Sequence, residues 1–455
     1  MSFKKLTIFF CIFVISFFMV TTSLASSEIY VWSPTSEPLN NSIQTSANVT
    51  NSNTNVVETP TKNATSSEVN TAENATSNEV TNTLSNTSTL TNTTSVGTDL
   101  NLECGGAVLI EQNSGRVLYD HNMHQKLRPA SVTKVMSLLL IMEAIDSGRL
   151  SYTDKIPCTE EAAAMGGSQI WLDVREELTV DEMLKAICVV SANDCTVAMA
   201  EYLAGSQEAF VAQMNDKAKE LGMNDTTFKN CHGIDEDGHE TSAYDIALMS
   251  RELLTKHPDI TKYTTIWMDS LRDGKSELVN TNKLIRNYKG ATGLKTGSTS
   301  VALYNLSASA TRDGLSLIAV IMKAPTTKIR FAEAQKLLDY GFSNYQYKEL
   351  ATRGTVLKEA DVTKGITSKV NLVLESDVGL LLKKGEDKNI EQTINLEENI
   401  SAPVAQGQKV GEIVYTLNGI EVGRTNIVAE SSVEKKTFFS IASYVYRNWF
   451  TMLRI

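Results

Sequence analysis

Histidine is scarce in this chain, and the common hydrolase arrangements built on it are absent. The 455 residues include five histidines, namely His121, His124, His232, His239 and His257. They form no H-E-x-x-H zinc motif, and no G-x-S-x-G segment occurs for a serine hydrolase of the α/β type. His232 and His239 flank an acidic stretch at 235–237, but the spacing fits no metal motif. We therefore expect a solvated loop there and no metal site.

Long hydrophobic runs are also missing, apart from one near the N-terminus. Two lysines there precede an apolar run over residues 6–20, which is shorter than the roughly 20 residues of a membrane span. The small-x-small sequence Ser-Leu-Ala follows at 23–25. The pattern predicts a signal peptide over residues 1–25 and an exported protein. Residues 26–98 are rich in Asn, Thr and Ser, cannot bury a core and are predicted to be a disordered tether.

Cysteine is sparse, and its number becomes odd once the signal peptide is removed. Cys11 leaves with that segment, and the remaining five are Cys104, Cys158, Cys188, Cys195 and Cys231. An odd set in an exported protein leaves at least one thiol unpaired within the chain. The spacing predicts no disulfide framework. We expect Cys188 and Cys195 to be buried packing residues, because buried cysteine usually behaves as a small hydrophobe.

Positive charge is in deficit along the chain. The formal net charge is −11, and loss of the two signal-peptide lysines takes it to −13. This acidity argues against nucleic acid as a partner and favours solubility.

Three short polar motifs stand out in the apolar middle of the chain. They are Ser131-Val132-Thr133-Lys134, Ser191-Ala192-Asn193 and Lys295-Thr296-Gly297, in that order. Each motif is weak by itself. Their order and their apolar setting together indicate acyl transfer through an activated serine.

The first motif has the residue types of a nucleophile and its base. The chain becomes mostly apolar over residues 130–140, which predicts the start of a buried helix, and Pro129 suits a helix N-terminus. Positions i and i+3 of a helix share a face, so Lys134 projects beside the Ser131 hydroxyl. Apolar surroundings disfavour the ammonium and lower the pKa of a lysine toward that of a general base. In isolation, a helix-start serine and a snorkelling lysine would explain the same pattern.

The second motif lies on a short link between two apolar helical segments. Residues 183–190 precede it and residues 197–203 follow it. Ser191 and Asn193 are two positions apart, so both side chains could face one cleft. The hydroxyl would relay a proton and the amide would hold a substrate amide. Helix capping is the alternative role for these residue types, and it does not exclude catalysis.

The third motif lies on a predicted β-strand. Residues 303–310 and 315–322 are predicted to be neighbouring strands joined by a hairpin at 312–314. Lys295 would then point from a strand edge into the cleft, where a cation can hold a carboxylate. Gly297 would let a ligand approach the backbone closely. Such a strand edge can bind an extended peptide by β-addition.

The resemblance to a known family extends beyond the three motifs. Further matching segments are residues 106–110, 115–119, 127–131, 166–168, 221–223, 280–282 and 338–342. On these residues the chain resembles the D-alanyl-D-alanine carboxypeptidases, which are low-molecular-mass penicillin-binding proteins and serine D,D-peptidases. The likeness covers about residues 100–347 and continues more faintly to about residue 429. It implies an α+β fold. The expected domain is β-lactamase/D,D-peptidase-like and consists of an antiparallel sheet flanked by helices, together with an all-α part.

The resemblance also implies the catalytic roles. Ser131 would attack the carbonyl between two terminal D-alanines, forming an acyl-enzyme and releasing one D-alanine. Lys134 would accept the proton, and Ser191 would pass a proton toward the leaving amine. Water would then hydrolyse the acyl-enzyme without a cofactor.

Four further positions are implied to bind the substrate. Asn193 would hold a side-chain amide of the peptide. Lys295, helped by Thr296, would bind near the terminal carboxylate. The backbone N–H groups of Ser131 and Ser298 would form the oxyanion hole, where one donor contributes about 3 kcal/mol in other enzymes. The implied ligands are peptidoglycan stem peptides, with β-lactam antibiotics as acylating inhibitors.

Other functions remain open from the sequence. A D,D-endopeptidase acting on cross-links attacks the same type of bond. A class A-like β-lactamase shares the motifs, but no E-x-x-L-N glutamate for deacylation follows Ser191. A non-catalytic wall-binding protein would have lost the nucleophile or the base. A nucleophilic role for Cys195 is possible in principle, but no histidine lies near it in sequence.

The predicted peptidase domain, residues 99–347, is followed by a different pattern. Short β-like segments at 355–357, 369–374, 412–415 and 424–428 predict a small all-β domain over residues 348–430. Residues 431–455 form an amphipathic helical pattern with aromatic residues and flanking lysines, which favours a helix lying on a membrane. Docking on the β domain is the alternative. We expect an extracytoplasmic protein, peripheral on the outer face of the bacterial cytoplasmic membrane or cell wall.

Overall fold

A computed structural model describes residues 99–452. The predicted signal peptide and tether lie outside the described residues. The α-helices are α1 Lys134–Asp146, α2 Glu160–Ala163, α3 Val180–Val189, α4 Asn193–Ala204, α5 Gln207–Glu220, α6 Ala243–Lys256, α7 Thr261–Thr264, α8 Leu284–Asn287, α9 Thr327–Asn344 and α10 Phe438–Met452. Short 3₁₀ turns occur at Ala130–Thr133, Pro258–Ile260 and Glu386–Asn389.

Seventeen strands are described along the same residues. The first nine are β1 Gly106–Glu111, β2 Val117–His121, β3 Lys155–Pro157, β4 Glu177–Thr179, β5 Met268–Leu271, β6 Ser276–Val279, β7 Ala291–Thr299, β8 Leu303–Arg312 and β9 Leu315–Ala324. The others are β10 Tyr345–Ala351, β11 Val356–Thr363, β12 Lys369–Leu374, β13 Val378–Lys383, β14 Ile390–Leu396, β15 Ile400–Ser401, β16 Lys409–Leu417 and β17 Ile420–Ala429.

Five strands form the central antiparallel sheet in the order β2-β1-β9-β8-β7. The hairpin predicted at 312–314 joins β8 to β9. Asp313 and Gly314 both have positive φ there, as the two-residue turn of a right-twisted hairpin requires. Within this sheet β7 is an outer strand, so the third motif lies on a sheet edge.

The central sheet is covered on both faces, as the alternation along β1 shows. Val108 and Ile110 belong to an apolar cluster with α1 and α3 to α6, whereas Ala107 and Leu109 belong to a second cluster with α9. Successive side chains of a strand point to opposite faces. A strand buried on both sides therefore has a continuous apolar sequence, as residues 106–110 do.

The second motif lies between two helices, α3 and α4, whose ends are well defined. A capping box begins α3, in which the Thr179 hydroxyl accepts from the Glu182 N–H and the Glu182 carboxylate accepts from the Thr179 N–H at 2.9 Å. α3 ends at Val189, and α4 begins at Asn193. Ser191 therefore lies on the predicted link between two buried helices.

The C-terminal strands form a separate sheet with its own core. Its order is β14-β16-β17-β12-β11-β15, and its apolar cluster includes Val362, Leu372, Ile413 and Ile427. The four β-segments predicted from sequence overlap β11, β12, β16 and β17. The predicted fold class is confirmed, with an α+β domain followed by an all-β domain and a helix.

The last described helix, α10, follows the β domain directly. Lys435 forms an isolated antiparallel bridge with Gly365, and the Lys436 N–H donates to the Lys364 carbonyl at 2.8 Å. The exposed large apolar side chains of α10 are Phe438, Phe439, Ile441, Val445, Tyr446 and Trp449. In the part of the chain that the structure describes, no helix has both the length and the apolar character to cross a membrane.

Candidate active site

Ser131 lies in a tight turn rather than in the helix itself. Residues Ala130–Thr133 form a 3₁₀ turn that leads into α1, and Ala130 has φ +47°. A 3₁₀ turn has three residues per turn, so side chains at i and i+3 are eclipsed. The Lys134 Nζ consequently lies 3.1 Å from the Ser131 Oγ. The predicted pairing is present, and the turn that produces it is tighter than the α-helix expected from sequence.

Lys134 is completely buried and surrounded by acceptors. Its Nζ donates to the Asn193 Oδ1 at 2.5 Å and to the His232 carbonyl at 2.6 Å. Burial lowers the pKa of Lys134 well below its usual value, and the nearby Lys295 lowers it further. This environment disfavours the ammonium form and favours the neutral amine.

Ser191 is held in an unusual backbone conformation with its hydroxyl free. Its φ is +66°, which is uncommon for a residue with a side chain. The Oγ is buried and has no hydrogen-bond partner among the described residues. A buried hydroxyl without a partner is costly in a folded protein. The arrangement leaves a donor and acceptor available to a bound molecule.

Asn193 is more engaged within the protein than the sequence suggested. Its Oδ1 contacts Lys134, and its Nδ2 donates to the Gly166 carbonyl at 2.7 Å. Only one amide hydrogen remains for a substrate. Asn193 thus joins the Lys134 amine to the loop that begins near Gly166.

The third motif lies along β7, directly against the Ser131 turn. A Cβ added at Gly297 would lie 2.8 Å from the backbone nitrogens of both Ser131 and Val132. Contacts this short are not tolerated, so only glycine fits. The β7 backbone is therefore in contact with the Ser131 N–H, and Ser298 is the next residue along this edge.

Lys295 is buried rather than exposed in an open cleft. It is 1% exposed, and its Nζ donates to the Thr296 carbonyl at 2.9 Å. Burial lowers the pKa of Lys295 to about 7. The Thr296 hydroxyl is 2.7 Å from the Thr281 hydroxyl. All three motifs therefore meet at one place between β7 and the helical part.

The same chain matches known proteins over most of its length. Residues 91–326 match the family model described as D-alanyl-D-alanine carboxypeptidase, and residues 345–435 match the C-terminal domain of penicillin-binding protein 5. The D-alanyl-D-alanine carboxypeptidase DacF of Bacillus subtilis (strain 168) is 44% identical over 356 residues, which are 77% of this chain and 91% of that relative. This chain belongs to the D-alanyl-D-alanine carboxypeptidase family.

Further members of the family show similar agreement. DacC of Escherichia coli (strain K12) is 33% identical over 340 residues, covering 73% of this chain and 84% of that relative. Penicillin-binding protein 5 from Haemophilus influenzae has a similar solved structure, with a TM-score of 0.60 and 31% identity over 74% of this chain and 100% of that chain. Penicillin-binding protein D2 from Listeria monocytogenes in the ampicillin-bound form gives a TM-score of 0.50 and 30% identity over 54% of this chain and 100% of that chain.

Arg330 adjoins the third motif in this member of the carboxypeptidase family, and the sequence did not reveal this. It lies on α9 behind β7, is 6% exposed, and its Nη1 donates to the carbonyls of Gly297 at 3.3 Å and Asn305 at 3.2 Å. Its Nε has no partner among the residues described. Burial lowers the pKa of Arg330 to about 10, and the group stays cationic at neutral pH. Its local sequence has no motif, so only the packing of α9 against the sheet reveals it.

The stretch between His232 and His239 is a largely exposed loop as predicted, but the two histidines that flank it are not solvated. Both side chains are buried, and burial lowers the pKa of His232 to about 3 and that of His239 to about 4. The His239 Nδ1 accepts from the Lys229 N–H at 3.0 Å, so its Nε2 donates to the Thr133 hydroxyl at 2.8 Å. Both histidines support the Ser131 turn from behind. Within residues 99–452, no group of three or more His, Cys, Asp and Glu is placed to hold a metal ion.

The loop that follows Gly166 is held by residues at the start of α4. The Asn193 N–H donates to the Ser168 carbonyl at 2.7 Å. The fully buried Asp194 carboxylate accepts from the N–H groups of Ile170 at 3.0 Å and Leu172 at 3.1 Å. Asn193 and Asp194 therefore fix this loop, and Asn193 also contacts Lys134.

The five cysteines downstream of residue 99 are free and buried. Burial raises the pKa of Cys188 and that of Cys231 to about 12, and it raises the pKa of Cys195 well above its usual value. A thiol that stays protonated is a poor nucleophile. The expected packing role of Cys188 and Cys195 agrees with this environment.

Proposed function

We propose that the protein is a serine-type D-Ala-D-Ala carboxypeptidase that removes the terminal D-alanine from peptidoglycan stem peptides. The observation that carries this proposal is the hydrogen bonding of Lys134. A neutral amine has two N–H groups and one lone pair. The Asn193 and His232 oxygens can only accept, so they take the two N–H groups. The lone pair is left for the Ser131 hydroxyl, as a general base requires.

The acylation step follows from this arrangement. The Ser131 Oγ attacks the carbonyl of the penultimate D-alanine, and its proton passes to the Lys134 amine. The negative charge that develops on the substrate oxygen would be stabilised by the backbone N–H groups of Ser131 and Ser298, where β7 touches the turn. The free Ser191 hydroxyl would carry a proton to the leaving nitrogen. The C–N bond then breaks, D-alanine leaves, and water later hydrolyses the ester on Ser131.

The substrate carboxylate would be held by the cations on and behind β7. Lys295 and Arg330 supply charge, and Thr296 supplies a hydroxyl. Burying Lys295 without a counter-ion lowers its pKa to about 7. A bound carboxylate would restore the charged form, because an opposite charge nearby favours ionisation. The remaining N–H of Asn193 would hold a peptide oxygen.

β-Lactam antibiotics would acylate Ser131 by the same route. The ampicillin-bound form of the Listeria protein supports this, because that protein is similar over the peptidase part of the chain. No E-x-x-L-N glutamate follows Ser191, which favours a penicillin-sensitive peptidase over a β-lactamase.

We further propose the arrangement of the whole chain. Residues 1–25 would be a signal peptide, 26–98 a tether, 99–347 the peptidase domain and 348–430 the β-rich domain. Residues 431–455 would lie on the outer face of the cytoplasmic membrane. The exposed Phe438 and Phe439, 81% and 80% accessible, support this placement.

The activity is tested by incubating the purified protein with a peptide that ends in D-Ala-D-Ala. Wild type should release free D-alanine, and Ser131→Ala should release none. Ser270→Ala, which changes an exposed serine on β5, is the matched control and should behave as wild type. Equal D-alanine release by Ser131→Ala and wild type would reject the mechanism.

A further inference from the structure

One threonine outside the three motifs contacts the third motif directly. The Thr281 hydroxyl lies 2.7 Å from the Thr296 hydroxyl, and neither hydroxyl has another hydrogen-bond partner among the described residues. Thr296 is 6% exposed, whereas the side chain of Thr281 is exposed. The pair therefore extends from the buried part of the site to its surface.

The backbone on each side of Thr281 is held by a buried asparagine. The Asn280 Nδ2 donates to the Ile266 carbonyl at 2.7 Å, and the Asn282 Nδ2 donates to the Gly293 carbonyl of β7 at 2.9 Å. The Asn282 N–H also donates to the Asn280 Oδ1 at 2.8 Å. These bonds give Thr281 a fixed place beside β7.

The main chain of Thr281 is bound to the helix that leads into the second motif. Its N–H donates to the Val189 carbonyl at 3.1 Å. Val189 is the last residue of α3 and lies two positions before Ser191. Thr281 is thus bound to the second motif's helix through its backbone and to the third motif through its side chain. This places it where the two motifs meet.

The hydroxyl pair has a direction, because each hydroxyl has a single proton. If Thr281 donates to Thr296, the Thr296 proton is free for a bound molecule. If Thr296 donates to Thr281, a bound molecule meets only the lone pairs of Thr296. A carboxylate can only accept hydrogen bonds. Thr296 can therefore bind a carboxylate through its own proton only when Thr281 is the donor of the pair.

No other side chain among the described residues can set this direction. The Lys295 Nζ is close in sequence, but it donates to the Thr296 backbone carbonyl and not to the hydroxyl. The Thr281 hydroxyl is therefore the one described group that orients the Thr296 proton.

We propose that Thr281 is a positioning residue for recognition of the substrate carboxylate. Its hydroxyl donates to the Thr296 Oγ and turns the Thr296 proton toward the carboxylate of the terminal D-alanine. This inference rests on the proposed carboxypeptidase function. It extends the proposed carboxylate site beyond Lys295, Thr296 and Arg330 to a residue that supplies no charge.

The first test measures kcat and KM separately for a peptide that ends in D-Ala-D-Ala. Thr281→Val removes the hydroxyl and keeps the shape of the side chain. We expect KM to rise about tenfold and kcat to stay within about twofold, because a hydrogen bond to a charged group is weakened equally in the bound peptide and in the transition state. Thr281→Ser keeps the hydroxyl and should keep the wild-type KM. Thr265→Val changes an exposed threonine whose hydroxyl donates to the Thr261 carbonyl, and this control should also keep it.

The second test is a double-mutant cycle with Thr296→Val. That variant should also raise KM. Adding Thr281→Val to it should raise KM no further, because Thr281 acts through the Thr296 hydroxyl. If the two changes multiply in the double variant, Thr281 acts independently of Thr296 and the inference is rejected.

The outcomes separate this inference from the function on which it rests. If wild type releases D-alanine and labels with penicillin while Thr281→Val keeps the wild-type KM, only the role of Thr281 fails. A KM for Thr281→Ser as high as that for Thr281→Val would also reject this role, because the hydroxyl would then be irrelevant. Absence of both D-alanine release and penicillin labelling in wild type would instead reject the proposed function.

Discussion

At the scale of single residues, the proposed chemistry depends on two buried lysines with different tasks. In the proposed mechanism Lys134 is neutral when it accepts a proton, and Lys295 is charged when it holds a carboxylate. Burial lowers the pKa of both lysines. Their partners differ: among the described residues, the Lys134 Nζ contacts three oxygens, whereas the Lys295 Nζ contacts the Thr296 carbonyl alone.

The two lysines predict a bell-shaped pH profile for acylation of Ser131 by penicillin. The rate should fall as pH drops, because Lys134 becomes protonated, and should fall again above about pH 7, where Lys295 loses its charge. Lys295→Arg keeps its charge throughout this range. We expect the alkaline limb of the second-order acylation rate to move to higher pH in that variant. An alkaline limb at the same pH as in wild type would show that Lys295 does not cause it.

Gly297 gives a second prediction at this scale. Gly297→Ala would place a methyl group 2.8 Å from the Ser131 and Val132 nitrogens, so β7 must move away from the Ser131 turn, where the oxyanion hole is proposed. We expect penicillin acylation to slow by about 100-fold or more, as for loss of one oxyanion donor. Gly148→Ala also strains the backbone, because Gly148 has φ +73°, but its added methyl group would meet nothing within 4 Å. Its acylation rate should match wild type, and an equal loss in both variants would assign the effect to general strain.

At the scale of elements, the loop from Gly166 depends on Asp194 at the start of α4. The Asp194 carboxylate accepts from the N–H groups of Ile170 and Leu172, and also from that of Cys195 at 2.9 Å. Asp194→Ala would leave these buried donors unpaired, at a cost of about 1–3 kcal/mol for each one. We expect a lower free energy of unfolding in urea and a raised KM for the peptide. Unfolding at the wild-type urea concentration would contradict this role.

The C-terminal helix is an element with an exposed apolar surface. Deleting residues 440–455 removes most of α10 and should move the protein from the membrane fraction to the soluble fraction. Ile420→Ser, which changes a 71% exposed apolar residue in the β domain, is the control and should stay in the membrane fraction. Unchanged fractionation of the deletion variant would reject the membrane role.

At the scale of the whole molecule, the sequence predicted the fold class and the meeting of the three motifs. Local patterns sufficed for the 312–314 hairpin and for the link at Ser191, because each depends on neighbouring residues. The Arg330 position and the burial of His239 depend on contacts between distant segments, which no local pattern encodes. The 3₁₀ form of the Ser131 turn was missed for a similar reason. It depends on Gly233, where a Cβ would lie 1.9 Å from the Ala130 carbonyl oxygen.

In the proposed mechanism Ser131 carries the acyl group with Lys134 as its base. This assignment is tested most directly by mass spectrometry of the intact protein after incubation with benzylpenicillin, followed by peptide mapping. One penicilloyl group per molecule on the peptide that contains Ser131 is predicted, with Lys134→Met acylated far more slowly. An adduct on another residue, or acylation of Ser131→Ala at the wild-type rate, would contradict the account.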